Sequence, residues 1–320
     1  MSKVSIIIPT HSRPHLLPRA VESARAAGTN VEVVVVDDAS VDRTAEVCAR
    51  LSGIKYVRVD RNQGVAGARN MGLMHAEGEY IAFLDDDDLR LSGSLDLQAQ
   101  NLDAHPEVGF VCGGMVMADQ NYRPTGDIVC PKISGDVFFS LMELDFPIMG
   151  LAVLVRKECF ARVGLFNTHV DGIDDWDMFL RISELYHVLV DPEPVGVYRQ
   201  PTVRSAQGSS ARAAQLLRLA KHQRKLMKLP RMEALPWAKR QAIRYRTKNR
   251  IADHLLWSAL QLLPQREFGP AYANLLVALR LAPWRPLQLG GYKRLAERLS
   301  ARTPGILNLE REVLRMPEGL

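Results

Sequence analysis

Residues 3–8 (KVSIII) form a short, mainly apolar run that ends at Pro9. A short run of this kind predicts a strand. From about Pro14 to Ala27 the period changes. Leu16, Leu17, Ala20, Val21 and Ala24 fall on one face of a helix. The segment 31–36 (VEVVVV) is β-branched and almost unbroken, and Asp37-Asp38 ends it. A helix is expected from about Asp42 to Leu51, and 54–59 (IKYVRV) alternates as a strand. A turn-rich loop at 62–67 leads into a helix at about 66–76, and 79–84 (EYIAFL) is the next strand. The first hundred residues thus read βαβαβαβ, the pattern of a parallel sheet covered by helices.

The pattern is less regular beyond this point. Strands are expected at 108–117, 150–156, 188–191 and 195–199, with helices at about 157–163 and 174–185. From about Ser209 the chain is rich in Ala, Leu and Arg at helical spacing. Helices are expected near 210–228, 236–263, 267–281 and 288–301, punctuated by Pro230, Pro264, Pro283 and Pro286. The reading is an α/β domain over 1–208 and a basic helical region over 209–320.

Charge sharpens that division. Residues 1–200 hold 18 Lys+Arg against 29 Asp+Glu, whereas 201–320 hold 23 against 7. Two units with different partners are implied. The longest charge-free windows, such as 254–265, are 12 residues, short of the roughly 18 that a membrane span needs. The N-terminus enters its first strand too soon for a signal peptide. The four cysteines are widely spaced and form no zinc or disulfide framework, which suits a reducing compartment.

Ligands of open α/β sheets bind beyond the carboxyl ends of the strands. The residues there are Pro9-Thr10-His11-Ser12, Asp37-Asp38 and Asp85-Asp86-Asp87-Asp88. Four adjacent carboxylates repel one another unless a cation or solvent compensates. Hard cations such as Mg²⁺ or Mn²⁺ favour oxygen ligands and could bridge the acidic run to a diphosphate. A bare acidic turn would read as solvated surface. Its place directly after an apolar strand argues for a site. No glycine-rich loop follows the first strand, which argues against nicotinamide-binding oxidoreductases and sugar-phosphate nucleotidyltransferases.

The segments VSIIIPTHSRPHLL (4–17), VEVVVVDDASVDRT (31–44), RNQGVAGARNMGL (61–73), GEYIAFLDDDDL (78–89), VRKECFARVGLFN (155–167) and GIDDWDMFLRI (172–182) occur in one order. In that order and spacing, the first 200 residues resemble family 2 inverting glycosyltransferases. The resemblance implies a GT-A-type nucleotide-diphospho-sugar transferase fold, a mostly parallel sheet flanked by helices, here with an α-helical C-terminal extension. It implies a metal-dependent enzyme that moves a sugar from a nucleotide-diphosphate sugar to a hydroxyl of a glycan or lipid-linked acceptor.

By the same resemblance Pro9, Thr10 and His11 line the nucleotide pocket. Asp38 accepts the ring N–H of a uracil or thymine base, and Arg69 lies near the nucleotide. Asp37 could instead cap the following helix. Asp85, Asp86 and Asp87 overlay the DXD motif: Asp87 and Asp85 ligate Mg²⁺ or Mn²⁺, and Asp86 contacts ribose or sugar. The fourth aspartate, Asp88, leaves the register open by one residue. Asp175, at a helix start in Asp174-Asp175-Trp176-Asp177, is the general base. A carboxylate on the face opposite the leaving diphosphate takes the acceptor's proton as the new bond forms, which inverts the anomeric carbon. Asp174 as a plain N-cap is the competing reading, and Trp176 could face the acceptor or the core.

Two departures stand out. The family's histidine after a Tyr-Arg pair is missing after Tyr198-Arg199, so Arg199 or Arg204 could neutralise the diphosphate. Asn167 follows Phe166 where aspartate is commoner. In the tail, basic residues at 218–231 and 239–250 alternate with apolar ones. This leaves open peripheral contact with an anionic membrane, packing on the acidic domain, or an oligomer interface. No nucleic-acid partner is expected. The expected location is cytoplasmic, with a peripheral place at the inner face of the plasma membrane left open. A nucleotide-sugar-binding subunit without transferase activity is the main functional alternative.

Overall fold

The segment VSIIIPT forms strand β1 (Val4–Thr10), buried at every position, as its unbroken apolar run requires. The computed structural model describes residues 3–202, 208 and 211–285. Helix α1 (Leu17–Ala26) follows with Pro18 in its first turn, and it buries Leu17, Ala20, Val21 and Ala24. Next come β2 (Val31–Asp37), α2 (Thr44–Arg50), β3 (Ile54–Arg58), α3 (Gly64–His75) and β4 (Tyr80–Phe83). The expected βαβαβαβ order is present, with helix and strand ends shifted by a few residues.

The remaining elements of the sheet unit are β5 (Leu89–Arg90), α4 (Ser94–Ala104), β6 (Val108–Ala118), β7 (Pro124–Val129), β8 (Val153–Arg156), α6 (Lys157–Val163), α7 (Asp174–Ser183) and β9 (His187–Arg199). The sheet order is β3-β2-β1-β4-β8-β6-β9-β5, with β7 beside β6. Pairing is parallel from β3 to β4 and between β6 and β9. It is antiparallel for β4–β8, β5–β9, β6–β7 and β6–β8. The sheet is therefore mixed, with its parallel half at the N-terminal end.

Three local differences from the sequence pattern have physical causes. Helix α4 has little apolar periodicity because its core side carries Gln98. That amide accepts from buried Arg90 (2.8 Å) and donates to the Ala152 carbonyl (2.9 Å). The strands expected at 188–191 and 195–199 are one strand, β9. It passes Pro192 and Pro194 with register shifts against β6. Gly113 makes room there, since a Cβ on it would lie 2.4 Å from a Val195 methyl. Residues Gly150–Ala152 form a 3₁₀ turn, so β8 starts at Val153.

One close approach fixes how α3 sits on the sheet. A Cβ on Gly72 would lie 2.3 Å from Ile7 Cγ2 on β1. Replacing a helical glycine by alanine gains up to about 1 kcal/mol of helix propensity. Overpacking against a central strand costs roughly 1–3 kcal/mol. The clash is expected to win, so Gly72→Ala lowers the midpoint of urea unfolding.

The chain divides into two compact units. Among the described residues, the first takes in 3–137 and Pro147–Gln200, the second Phe138–Phe146 and those from Pro201 on. The second unit holds α5 (Phe138–Met142), α8 (Arg212–Leu226), α9 (Pro230–Glu233), α10 (Trp237–Leu262) and α11 (Phe268–Leu281). Pro230 opens α9, as its missing N–H allows. The short α5 is held through Met142, whose carbonyl accepts from Thr247 Oγ1 (2.9 Å) and Gln223 Nε2 (3.2 Å). Arg231 lies over the rings of Phe138 and Phe139, and Arg246 and Arg250 pair with Glu143. The helix expected at 288–301 lies outside the described residues. No helix among the described residues is long and apolar enough to cross a membrane. All four cysteines are free thiols.

Candidate active site

Strands β1, β2 and β4 deliver their carboxyl ends side by side. Register pairs Thr10 with Asp37, and the aspartate run follows β4 after one residue, Leu84. Pro9 and Thr10 are buried at the end of β1. Thr10 Oγ1 donates to Asp86 Oδ2 at 2.7 Å, joining the first strand end to the acidic turn. His11 is exposed, and its Nδ1 lies 2.7 Å from the Asp38 carbonyl oxygen.

Asp38 is 3% exposed, and its two oxygens accept the backbone N–H groups of Gln63 (2.7 Å) and Gly64 (2.9 Å). Its carboxylate therefore anchors the start of α3, where the helix dipole favours negative charge. A carboxylate has lone pairs left for a further donor. Asp37 does not cap α2. It is fully buried and accepts from Ser40 N, Tyr56 OH and Arg58 Nη1. Asp42 meets the first turn of α2 instead, accepting Thr44 N at 3.0 Å.

The four aspartates divide by environment. Asp86 and Asp88 are buried, while Asp85 and Asp87 are partly exposed. Asp86 faces Thr10 and Arg13, and burial pushes its carboxyl up to about 6 against the pull of Arg13. Burial also raises Asp87 and, with the neighbouring carboxylates, raises Asp88 well above the usual range. Carboxylate oxygens of Asp85, Asp87 and Asp88 all lie within 4.8 Å of one another. Three converging hard oxygen donors fit one divalent cation of the Mg²⁺ or Mn²⁺ class.

Arginines crowd this acidic corner. Arg13 Nη1 donates to Asp86 Oδ1 (2.9 Å) and Asp87 Oδ2 (2.8 Å). Arg69, 7% exposed on α3, donates from Nη2 to Asp85 Oδ1 and from Nη1 to Asp174 Oδ2, both at 2.8 Å. One guanidinium thus ties the aspartate turn to the start of α7. Asp174 is the first residue of that helix, with Ile173 at the cap position, and its carboxylate is engaged by Arg69. Asp175 follows, partly exposed, with Oδ1 accepting from Trp176 N at 2.7 Å. Burial first, and the Asp174 charge second, push its carboxyl up to about 6 against the nearby Arg69 cation. Trp176 is 6% exposed and belongs to the core.

Three contributors were not singled out from the sequence as site residues. Arg13 lies in the loop after β1, where its type and place were visible. Asp88 was in view only as an ambiguity of register, and it accepts the Arg199 backbone N–H at 2.8 Å. Tyr122 lies in the turn between β6 and β7, where no local motif marks it. Its hydroxyl donates to the Asp87 carbonyl (3.0 Å), and Arg19 lies 4.3 Å from its ring centre. Arg199 is near the same corner, whereas Arg204 lies outside the described residues.

The family model "Glycosyl transferase family 2" matches residues 5–141. An uncharacterized glycosyltransferase of Haemophilus influenzae is 26% identical over 185 residues, covering 57% of this chain and 62% of that protein. A GalNAc(5)-diNAcBac-PP-undecaprenol beta-1,3-glucosyltransferase of Campylobacter jejuni is 42% identical over 101 residues, 30% of this chain and 33% of that protein. Among solved structures, the mannosyltransferase PcManGT of Pyrobaculum calidifontis, in complex with GDP-Man and Mn²⁺, superposes with a TM-score of 0.58. Identity is 22%, over 98% of this chain and 85% of that one. The match to the H. influenzae protein leaves more than a third of that relative's length uncovered. Residues 5–141 are thus similar to glycosyl transferase family 2, and the chain carries a GT-A-type fold.

Proposed function

We propose that this chain transfers a sugar from a nucleotide-diphosphate sugar to a hydroxyl of a glycan or lipid-linked acceptor, in one inverting displacement. One observation carries the reading. Arg69 touches Asp85 and Asp174 at 2.8 Å each, so the acidic turn and the Asp175 helix start share one face of the first unit. A donor held at the turn would then have a carboxylate available for its acceptor.

Pro9, Thr10, His11 and Asp38 receive the nucleoside, with a uracil or thymine base as the first choice. Asp86 faces the ribose or sugar. Asp85 and Asp87, joined by Asp88, hold a divalent cation, which would offset charge on the departing diphosphate. Arg13, 47% exposed at its side chain, offers positive charge where the family's histidine is missing. Arg69 acts as a positioning residue that holds Asp85 and orients the first turn of α7. Asp175 takes the acceptor proton. A carboxyl raised to about 6 is ionised at pH 7 yet more basic than an ordinary aspartate.

The structural neighbour's GDP-Man and Mn²⁺ support the donor class and the divalent ion at the level of fold. The undecaprenol in the C. jejuni relative's name supports a lipid-linked acceptor. We place the enzyme in the cytoplasm, with peripheral contact to an anionic membrane through the C-terminal helices. A thermal-shift screen of nucleotide sugars with Mn²⁺ tests the reading. At least one uridine or thymidine diphosphate sugar is expected to raise the melting temperature only with the metal present. No shift with any nucleotide sugar would end the proposal. A shift without transfer to any acceptor would favour a binding subunit.

A further inference from the structure

Helix α11 is amphipathic in the wrong sense for a helix packed only within its own unit. Its inward residues are small or polar: Ala271, Asn274 and Ala278 are buried, and Asn274 Nδ2 donates to Ser258 Oγ on α10 at 3.1 Å. Its large apolar residues face outward. Phe268 and Tyr272 are each 63% exposed, Leu276 47%, and Leu275 and Leu279 slightly over a third. At 3.6 residues per turn, these five positions fill one stripe about 100° wide. Leu260 near the end of α10, Leu263 just after it, and Trp284 just after α11 are exposed as well. Exposed large apolar residues of the first unit are spread singly along its chain. Only the second kind needs no explanation; a continuous stripe marks an interaction surface.

Charge favours one occupant. Between residues 254 and 285 the exposed charges are Arg266 and Arg280, with Glu267 half-buried; Arg285 is buried and paired with Asp253. The chain from 201 on carries 23 Lys+Arg against 7 Asp+Glu. Aromatic and leucine side chains beside basic ones, with no acidic residue within the stripe, suit the headgroup boundary of an anionic bilayer. We infer that the outward stripe of α11, centred on Phe268, Tyr272 and Leu276, lies in the surface of an anionic phospholipid membrane. This deepens the membrane contact proposed above and shifts its apolar anchor away from the expected basic clusters. Arg246 and Arg250 of those clusters are paired with Glu143, and Arg231 covers two rings of α5.

The test is flotation of the full chain with phosphatidylcholine vesicles, with and without phosphatidylglycerol. The Phe268→Gln/Tyr272→Gln/Leu276→Gln variant keeps helix propensity at exposed positions. A control, Val41→Ser/Met74→Gln, removes exposed apolar groups from the first unit. Wild type and control are expected to float with phosphatidylglycerol vesicles, and the triple variant to bind at least about 10-fold more weakly. Its melting temperature and donor-induced thermal shift should stay unchanged, which separates this inference from the donor reading. Wild type that fails to float at low salt, or a triple variant that floats equally well, overturns the inference. So does wild type that is dimeric by light scattering and becomes monomeric in the triple variant without ever binding vesicles, since a second copy would then cover the stripe.

Discussion

Asp175→Asn is expected to reduce sugar transfer by at least roughly 100-fold while donor binding stays near the wild-type value. The amide keeps the shape and still accepts the Trp176 N–H, so the start of α7 is preserved. What it loses, on the proposed function, is the carboxylate that takes the acceptor's proton. The pH profile provides a second readout. Because the carboxyl is pushed up to about 6, its basic form fills only above that pH. Wild-type kcat/KM is expected to rise through pH 6 and then level, and residual activity of the variant should lack that limb. Stability moves the other way. A carboxyl raised above its unfolded value, about 3.9, binds a proton more readily in the folded chain. Folding stability contributed by that proton is present at low pH and is lost as pH rises through 6. Asp175→Asn should therefore melt higher than wild type at pH 7, with the difference vanishing near pH 4. Full transfer activity in the variant would remove Asp175 as the base.

Asp87→Ala is expected to abolish most metal-dependent donor binding. Even outer-shell changes at metal sites cost roughly 10–100-fold in affinity, and loss of a direct ligand should cost no less. Asp87 also receives one arm of Arg13, so its removal leaves that cation with Asp86 alone. Titration of a nucleotide sugar with and without Mn²⁺ separates the two consequences. A lost metal ligand removes the Mn²⁺-dependent increment in affinity. A merely loosened Arg13 would weaken binding equally in both titrations, and that outcome would take Asp87 out of the proposed ligand set. The same titration on Asp88→Asn shows whether the buried fourth carboxylate shares the ion.

Much of the first unit was legible because β1, most of β2, and β4 are buried on both faces. VSIIIPT and VEVVVVD have no polar side to misread, and their carboxyl ends point to one rim whatever the details of packing. The middle was opaque for the opposite reason. Helix α4 buries a glutamine and serves a buried arginine, so its apolar period is weak. The nine residues Phe138–Phe146 join the helical unit although the sheet unit surrounds them in the chain, and no local pattern marks such an excursion.

What the chain order alone determined is that acidic residues follow two of the strands, which rests on periodicity and punctuation and is local. The arginine on α3 and the carboxylates at the start of α7 were expected at the site only through the resemblance to a family. Only the tertiary structure decided who pairs with whom. Arg69 looked like a residue for the nucleotide. Its guanidinium also reaches Asp85 and Asp174, 16 and 105 residues away, contacts that no local pattern marks. Likewise α11 was expected only as a helix near 267–281, with no face assigned to it. Small residues let it lie close to α10, and that closeness turns its large side chains outward. Contacts between segments far apart in the chain depend on such fits of shape, and spacing along one segment does not encode them.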